Sequence, residues 1–139
     1  MEPALNSLAA GFPWLIFFLL LATALYVIGV IVYVQLTPHK EILLIRQGNL
    51  SAAVSFSGFL VALALPLAAC LTSSVSLFDL AIWGTVSLLL QLFLFRMTDI
   101  LLPDLPKRIT HDDMAAATVL TAFKLAGSIL LASAIFVKF

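Results

Sequence analysis

A chain of 139 residues that is 63% hydrophobic and only 10% charged lies outside the composition of a water-soluble domain, where about a quarter of residues carry charge. Its seven basic and seven acidic side chains cancel, and its mean hydropathy is +1.20, which excludes a basic surface for nucleic acid. The chain is expected to fold as one transmembrane domain spanning residues 1–139.

Residues 12–36 contain no charged side chain. At about 1.5 Å of rise per residue, a helix of that length exceeds the roughly 30 Å hydrocarbon core of a bilayer. Pro13 is expected near its start, where a missing N–H is harmless, and Pro38 just beyond its end. No Lys or Arg precedes this run, and it is too long for a signal-peptide core, so it is expected to remain in the mature protein. The second run, about 50–71, follows a candidate N-cap, Asn49. Pro66 lies inside it and is expected to remove the backbone bond to Ala62. The third run, about 77–102, opens on Ser76-Leu77-Phe78-Asp79, a capping-box pattern. The fourth, about 114–137, opens on Thr110-His111-Asp112-Asp113, which fits the same pattern. None of the runs alternates apolar and polar residues as a barrel strand does, so each predicts a helix. The fold class is an all-α, four-helix integral membrane bundle.

Charge in the short loops sets the orientation. Lys40 and Arg46 follow the first span, and Lys107 and Arg108 follow the third. The other side has only Lys138. Both loops are therefore expected in the cytoplasm and both termini outside it.

The four spans read as a two-helix hairpin used twice. An alignment lays Gly48-Asn49-Leu50-Ser51-Ala52-Ala53 over His111-Asp112-Asp113-Met114-Ala115-Ala116. The first and third spans are bulky, whereas the second and fourth are rich in Ala, Ser, Thr and Gly. Membrane helices associate by close packing at small residues, because lipid is as apolar as leucine. Ser51, Ser55, Gly58 and Ala62 in the second span, with Ala115, Thr118, Ala122, Ala126 and Ser133 in the fourth, are the candidate packing residues. The second and fourth spans are accordingly expected at the bundle centre.

An ionisable group at membrane depth marks a candidate functional site. Lys124 lies ten residues past Met114, near the midplane, and its side chain tilts toward the loop end. Its candidate partners in the same layer are Gln91, Ser55, Ser57, Thr121 and Tyr26. Asp99 lies nearer the loop end, within reach of a snorkelling lysine. Arg96 and Asp99 are three residues apart on one helix face, a spacing that allows them to pair with each other. Asp79 reads as the acid of a capping box. Asp104, Lys107, Arg108, His111, Asp112 and Asp113 read as a solvated loop with caps, or as a dock for a soluble partner or anionic headgroups. Cys70 reads as a small apolar residue near a helix end. His39 and His111 lack ligand spacing, and no metal or cofactor is expected. No glycine-rich phosphate loop, HExxH, CxxC or assembled triad occurs, so the chain is not expected to be an enzyme.

Glu41, Gln47-Gly48-Asn49 with Ala52-Ala53, Asp79-Leu80, Gln91, Asp99, Leu102-Pro103, Ile109, Asp112 and Ala115-Ala116 together resemble the "domain of unknown function 350" family. These are small bacterial inner-membrane proteins with two tandem two-helix repeats and a Gly-Asn-x-x-Ala-Ala signature. The resemblance implies four helices in the bacterial inner membrane and brings no established activity. The function expected is a structural or accessory membrane subunit that packs with itself or with a larger complex, surrounded by membrane lipid. The alternative is an oligomeric channel or transporter for an ion or small solute, using the polar layer around Lys124 and Gln91.

Overall fold

The computed structural model describes residues 1–37 and 40–137. Pro38, His39 and Lys138, invoked above as helix stop, lone histidine and far-side charge, lie outside the described residues. Six helices follow in chain order: α1 Glu2–Leu36, α2 Glu41–Arg46, α3 Leu50–Ser73, α4 Leu77–Leu101, α5 Asp104–Thr110 and α6 Met114–Val137. Among the described residues, α1, α3, α4 and α6 are long and apolar enough to cross a membrane.

The spans match expectation within a few residues, except at the start of α1. That helix begins at Glu2 rather than near residue 12, with Pro3 at the permissive first positions and Pro13 in its interior. Residues 4–12 are mostly Ala and Leu, good helix formers that extend the helix past Pro13 at the loss of one hydrogen bond. The loops also differ from expectation. Each contains a short helix, α2 or α5, too brief to show a period in the sequence.

The bundle is arranged around α3. In the most apolar stretch of each span, 50% of residues are buried in α3, 33% in α4, 28% in α6 and 11% in α1. The expectation that the second and fourth spans share the centre therefore holds for α3 alone. α6 packs closely along α3 on one side and turns its other side outward. On α3, Ser51, Ser55, Gly58 and Ala62 are all buried, as the small-residue spacing requires. The buried face of α6 is Ala116, Ala117, Leu120, Lys124 and Ser128. Ala115, Thr118, Ala122, Ala126 and Ser133 are exposed. Alanine recurs on several sides of this helix, so small size alone does not select the face turned to α3.

Pro66 illustrates how the bundle repairs its own breaks. Proline removes the donor that would meet the Ala62 carbonyl. The Ser128 hydroxyl of α6 donates to that same carbonyl. Tyr26 on α1 similarly donates to the Leu60 carbonyl at 3.0 Å. In lipid each such bond counts, because no water substitutes for it.

The loop ends are locked by caps. The Asn49 side chain accepts from Ala52 N at 2.8 Å and donates through Nδ2 to the Ile109 carbonyl at 2.9 Å. Asp112, which has a left-handed backbone (φ 59°), accepts from Ser51 N at 2.9 Å. The α2 end therefore grips α5, and the α5 end grips α3. Gly48 occupies the corresponding left-handed position (φ 87°) before Asn49. The N-cap of α6 is Asp113, whose carboxylate accepts from Ala115 N and Ala116 N at 3.0 and 3.3 Å. The expected Thr110 capping box does not form, because Thr110 ends α5 and its hydroxyl donates to the Lys107 carbonyl. By local geometry Gly48-Asn49 corresponds to Asp112-Asp113, one residue along from the alignment expected. Ser76 does cap α4, accepting from Asp79 N at 3.1 Å, while Asp79 accepts from Val75 N at 3.3 Å.

Asp112 is held below the usual carboxylate range by the Ser51 amide, and Asp113 by the Ala116 amide and then Arg108. Lowered values mean that both contribute stability at neutral pH and lose it as pH falls through them. Asn49→Ala should cost about 1–2 kcal/mol, the value of a cap together with a cross-loop bond. Asn49→Asp keeps the cap acceptor but loses the Nδ2 donor, so it should cost less than Asn49→Ala in equilibrium unfolding. Equal costs would show that the cross-loop bond contributes nothing.

Candidate functional site

Lys124 is buried to 1% relative exposure and sits where four helices converge. Its ammonium donates to the Tyr33 hydroxyl at 2.8 Å and lies 3.4 Å from Asp99 Oδ1. Tyr33 in turn donates to Glu41 Oε1 at 3.3 Å. One ammonium from α6 thus meets a phenol from α1 and a carboxylate from α4, and the phenol reaches a second carboxylate on α2.

Aromatic rings seal the site on its apolar side. Tyr33 stacks on Phe59 with ring centroids 3.6 Å apart, and Phe95 meets Phe59 edge-on at 5.4 Å. The Lys124 nitrogen lies 5.1 Å from the Tyr33 centroid and 5.8 Å from that of Phe95. Its short contact with the Tyr33 hydroxyl places it beyond that ring's edge, so the phenol oxygen, not the ring face, carries this attraction. A charge inside a membrane is expensive, and these partners are what make it tolerable.

The candidate residues of the polar layer divide between this cluster and other places. Asp99 joins it, pairing with Lys124 rather than with Arg96, whose side chain is exposed. Asp99 is partly buried on α4, whereas Arg96, about a sixth of a turn away, is exposed. Gln91 is fully buried on α4, and Ser55 is fully buried on α3. The side-chain polar atoms of Gln91, Ser55, Ser51 and Thr121 have no hydrogen-bond partner among the described residues. Ser57 is exposed and donates to the Ala53 carbonyl of its own helix at 2.7 Å. Tyr26 serves the α1–α3 contact already described. Cys70 is buried and donates to Ser87 Oγ across 3.6 Å.

From sequence alone Tyr33 has no role, and Glu41 is named only among the residues of the family resemblance, not in the polar layer. Tyr33 is in the last turn of its span, and Glu41 lies in a loop that the first-span reading left outside the membrane. The spacing offered one signal. Two polar residues eight apart across a helix–turn meet when the chain folds back.

Glu41 is 9% exposed, and its carboxyl is pushed up to about 7. Burial is the main cause; Lys124 and the Tyr33 hydrogen bond pull it down, and Asp99 pushes it further up. Two small cavities of about 10 Å³ each flank Asp99. Each has room for about one water. One is bordered by Thr37, Glu41, Asp99 and Lys124, closed by Leu44, Pro106, Ile109 and Leu120. Among the described residues, no group of three His, Cys, Asp or Glu side chains is arranged to hold a metal ion.

A family profile described as "Domain of Unknown Function (DUF350)" matches residues 7–135. The chain is 32% identical over 109 residues to "UPF0719 inner membrane protein YjfL" of Escherichia coli strain K12, covering 78% of this chain and 83% of that protein. The protein of the same name in Escherichia coli O157:H7 is equally similar. No solved structure matches.

Proposed function

The chain belongs to the family described as Domain of Unknown Function (DUF350), and from that premise we propose that it is a non-catalytic packing subunit of a membrane assembly. Four spans and an inner-membrane relative make it a multi-pass protein of the inner membrane. Lys40, Arg46, Lys107 and Arg108 all lie in the two loops of the α2/α5 end, which supports placing that end in the cytoplasm and both termini outside.

The observation that carries this reading is the outer face of α6. Ala115, Thr118, Ala122 and Ala126 are small, exposed and spaced by three or four residues, and α3 does not use them. In lipid such a face allows another helix to approach closely and gain dispersion contacts. The partner is a second copy or another membrane chain. Single cysteines at Ala122 and Ala126, placed in a Cys70→Ser background and oxidised in native membranes, test it. Crosslinked species are expected at both positions. The reading fails if these positions crosslink no better than Leu89→Cys, which stands on the exposed side of α4.

A second reading, passage of an ion or small solute, is favoured by one observation. Gln91, Ser55 and Thr121 have buried side-chain polar atoms without hydrogen-bond partners among the described residues. Sealed vesicles containing the purified protein should then dissipate a salt or pH gradient faster than protein-free vesicles. Equal rates refute this reading.

A further inference from the structure

We propose that the cavity between Glu41, Asp99 and Lys124 is a binding site for a single positive charge, supplied by a proton or by an alkali cation. Such a site lies within one chain and is independent of how the chain assembles. Two carboxylates, Glu41 and Asp99, converge on one ammonium, Lys124, in a region where Lys124 is 1% exposed and Glu41 9%. A net buried charge in a low-dielectric surrounding is costly and is relieved by taking up its counter-charge.

The oxygens needed for that uptake are in place. Glu41 gives Oε1 to Tyr33, while its Oε2 is buried with no hydrogen-bond partner among the described residues. Asp99 Oδ1 is buried as well, and its contact is the 3.4 Å ion pair rather than a hydrogen bond. Glu41, Asp99 and Lys124 border the same small cavity, with the Thr37 side of α1 as a further polar wall. Its volume of about 10 Å³ suits one small guest and excludes an organic ligand. That volume also leaves no room for the several waters that a bound magnesium keeps, or for the six or more oxygens that calcium takes.

Among the described residues, the other charged groups near the cluster each have a place. Lys40 and Arg46 line an open groove on the outer side of Glu41, where water screens them. Arg96 borders the second cavity on the other side of Asp99, and its side chain is exposed. α5 presents apolar Pro106 and Ile109, and α6 presents Leu120 beside Lys124. Among the described residues Tyr33 is the remaining titratable group, and it acts as the bridge between ammonium and Glu41.

The raised carboxyl of Glu41 agrees with this geometry. Its sign is as follows. The folded value of about 7 lies above the ordinary 4.5, so the protonated form favours the fold. Stability from this group is complete below about pH 4.5 and is lost as pH rises through about 7.

The experiment follows the thermal midpoint of purified protein by tryptophan fluorescence. It compares sodium, potassium and choline chlorides at equal ionic strength, below and above pH 7. Two outcomes support the site and separate its occupants. If a proton is the charge, the midpoint falls as pH rises in all three salts. If an alkali cation is the charge, sodium or potassium restores the midpoint above pH 7, and choline does not. In either case Glu41→Gln keeps an acceptor for Tyr33, removes the surplus charge and flattens the dependence. It should be at least as stable as the wild type in choline above pH 7, which a purely structural glutamate would not allow. Should Glu41→Gln fail to fold, Asp99→Asn lowers the same charge count and is expected to change the pH and salt dependence, at a cost in stability from the lost ion pair with Lys124. Identical pH and salt responses in the wild type and a folded variant overturn the proposal, as does a wild type indifferent to both.

Discussion

Lys124→Ala is expected to lower the stability of the fold by about 3–5 kcal/mol, the cost of breaking a buried pair from one side. The substitution leaves Asp99 without its ammonium and Tyr33 without the charge that orients its hydroxyl. It also opens a void against the edges of Tyr33 and Phe95. Unfolding by titration with a denaturing detergent measures the loss. Asp99→Ala alone is also expected to be costly, but Lys124→Ala with Asp99→Ala should cost less than the two single losses added together. Simple additivity would place the energy in packing rather than in the pair.

Gly58→Leu should prevent assembly of the native bundle. A β-carbon at position 58 overlaps the Thr121 methyl of α6, and a leucine reaches further into the contact between α3 and α6. Even Gly58→Ala should cost about 1–3 kcal/mol through overpacking. Thr121→Ser deletes the offending methyl and leaves the hydroxyl. The double variant Gly58→Ala with Thr121→Ser should therefore recover most of the loss in the same unfolding assay. A double variant as unstable as Gly58→Ala would mean that the backbones, not these two side chains, set the approach.

Much of this architecture was legible because lipid imposes simple demands. Long apolar stretches with few or no charges declared the spans, and Asn49 and Ser76 declared helix starts, since a short polar side chain before an apolar run has few other uses there. Lys124 and Asp99 were legible as rare charges at depth. The remainder depended on tertiary contact. Tyr33 reads as one more interfacial aromatic until Glu41 folds back over it on α2. Asp113 and Thr110 both suit the cap of α6, and the extent of α5 decides between them. The inner face of α6 was misjudged because Ala115, Ala116 and Ala117 are interchangeable on paper, while only two of them meet other helices.

The Ser128 hydroxyl on the Ala62 carbonyl, together with the ammonium of Lys124, imposes an order on biogenesis. The chain leaves the ribosome from its N-terminus, so α3 enters lipid with one carbonyl still unmet. α6 arrives last, carrying both the missing donor and a lysine whose insertion alone costs about 2.5–3.5 kcal/mol. Tyr33, Glu41 and Asp99 are already synthesised by then and offer that lysine its partners. α6 is apolar enough to cross a membrane by itself, so these partners offset the cost of its lysine rather than decide whether it enters. A chain truncated after α5 lacks the donor for the Ala62 carbonyl and the ammonium that meets Asp99 and Tyr33.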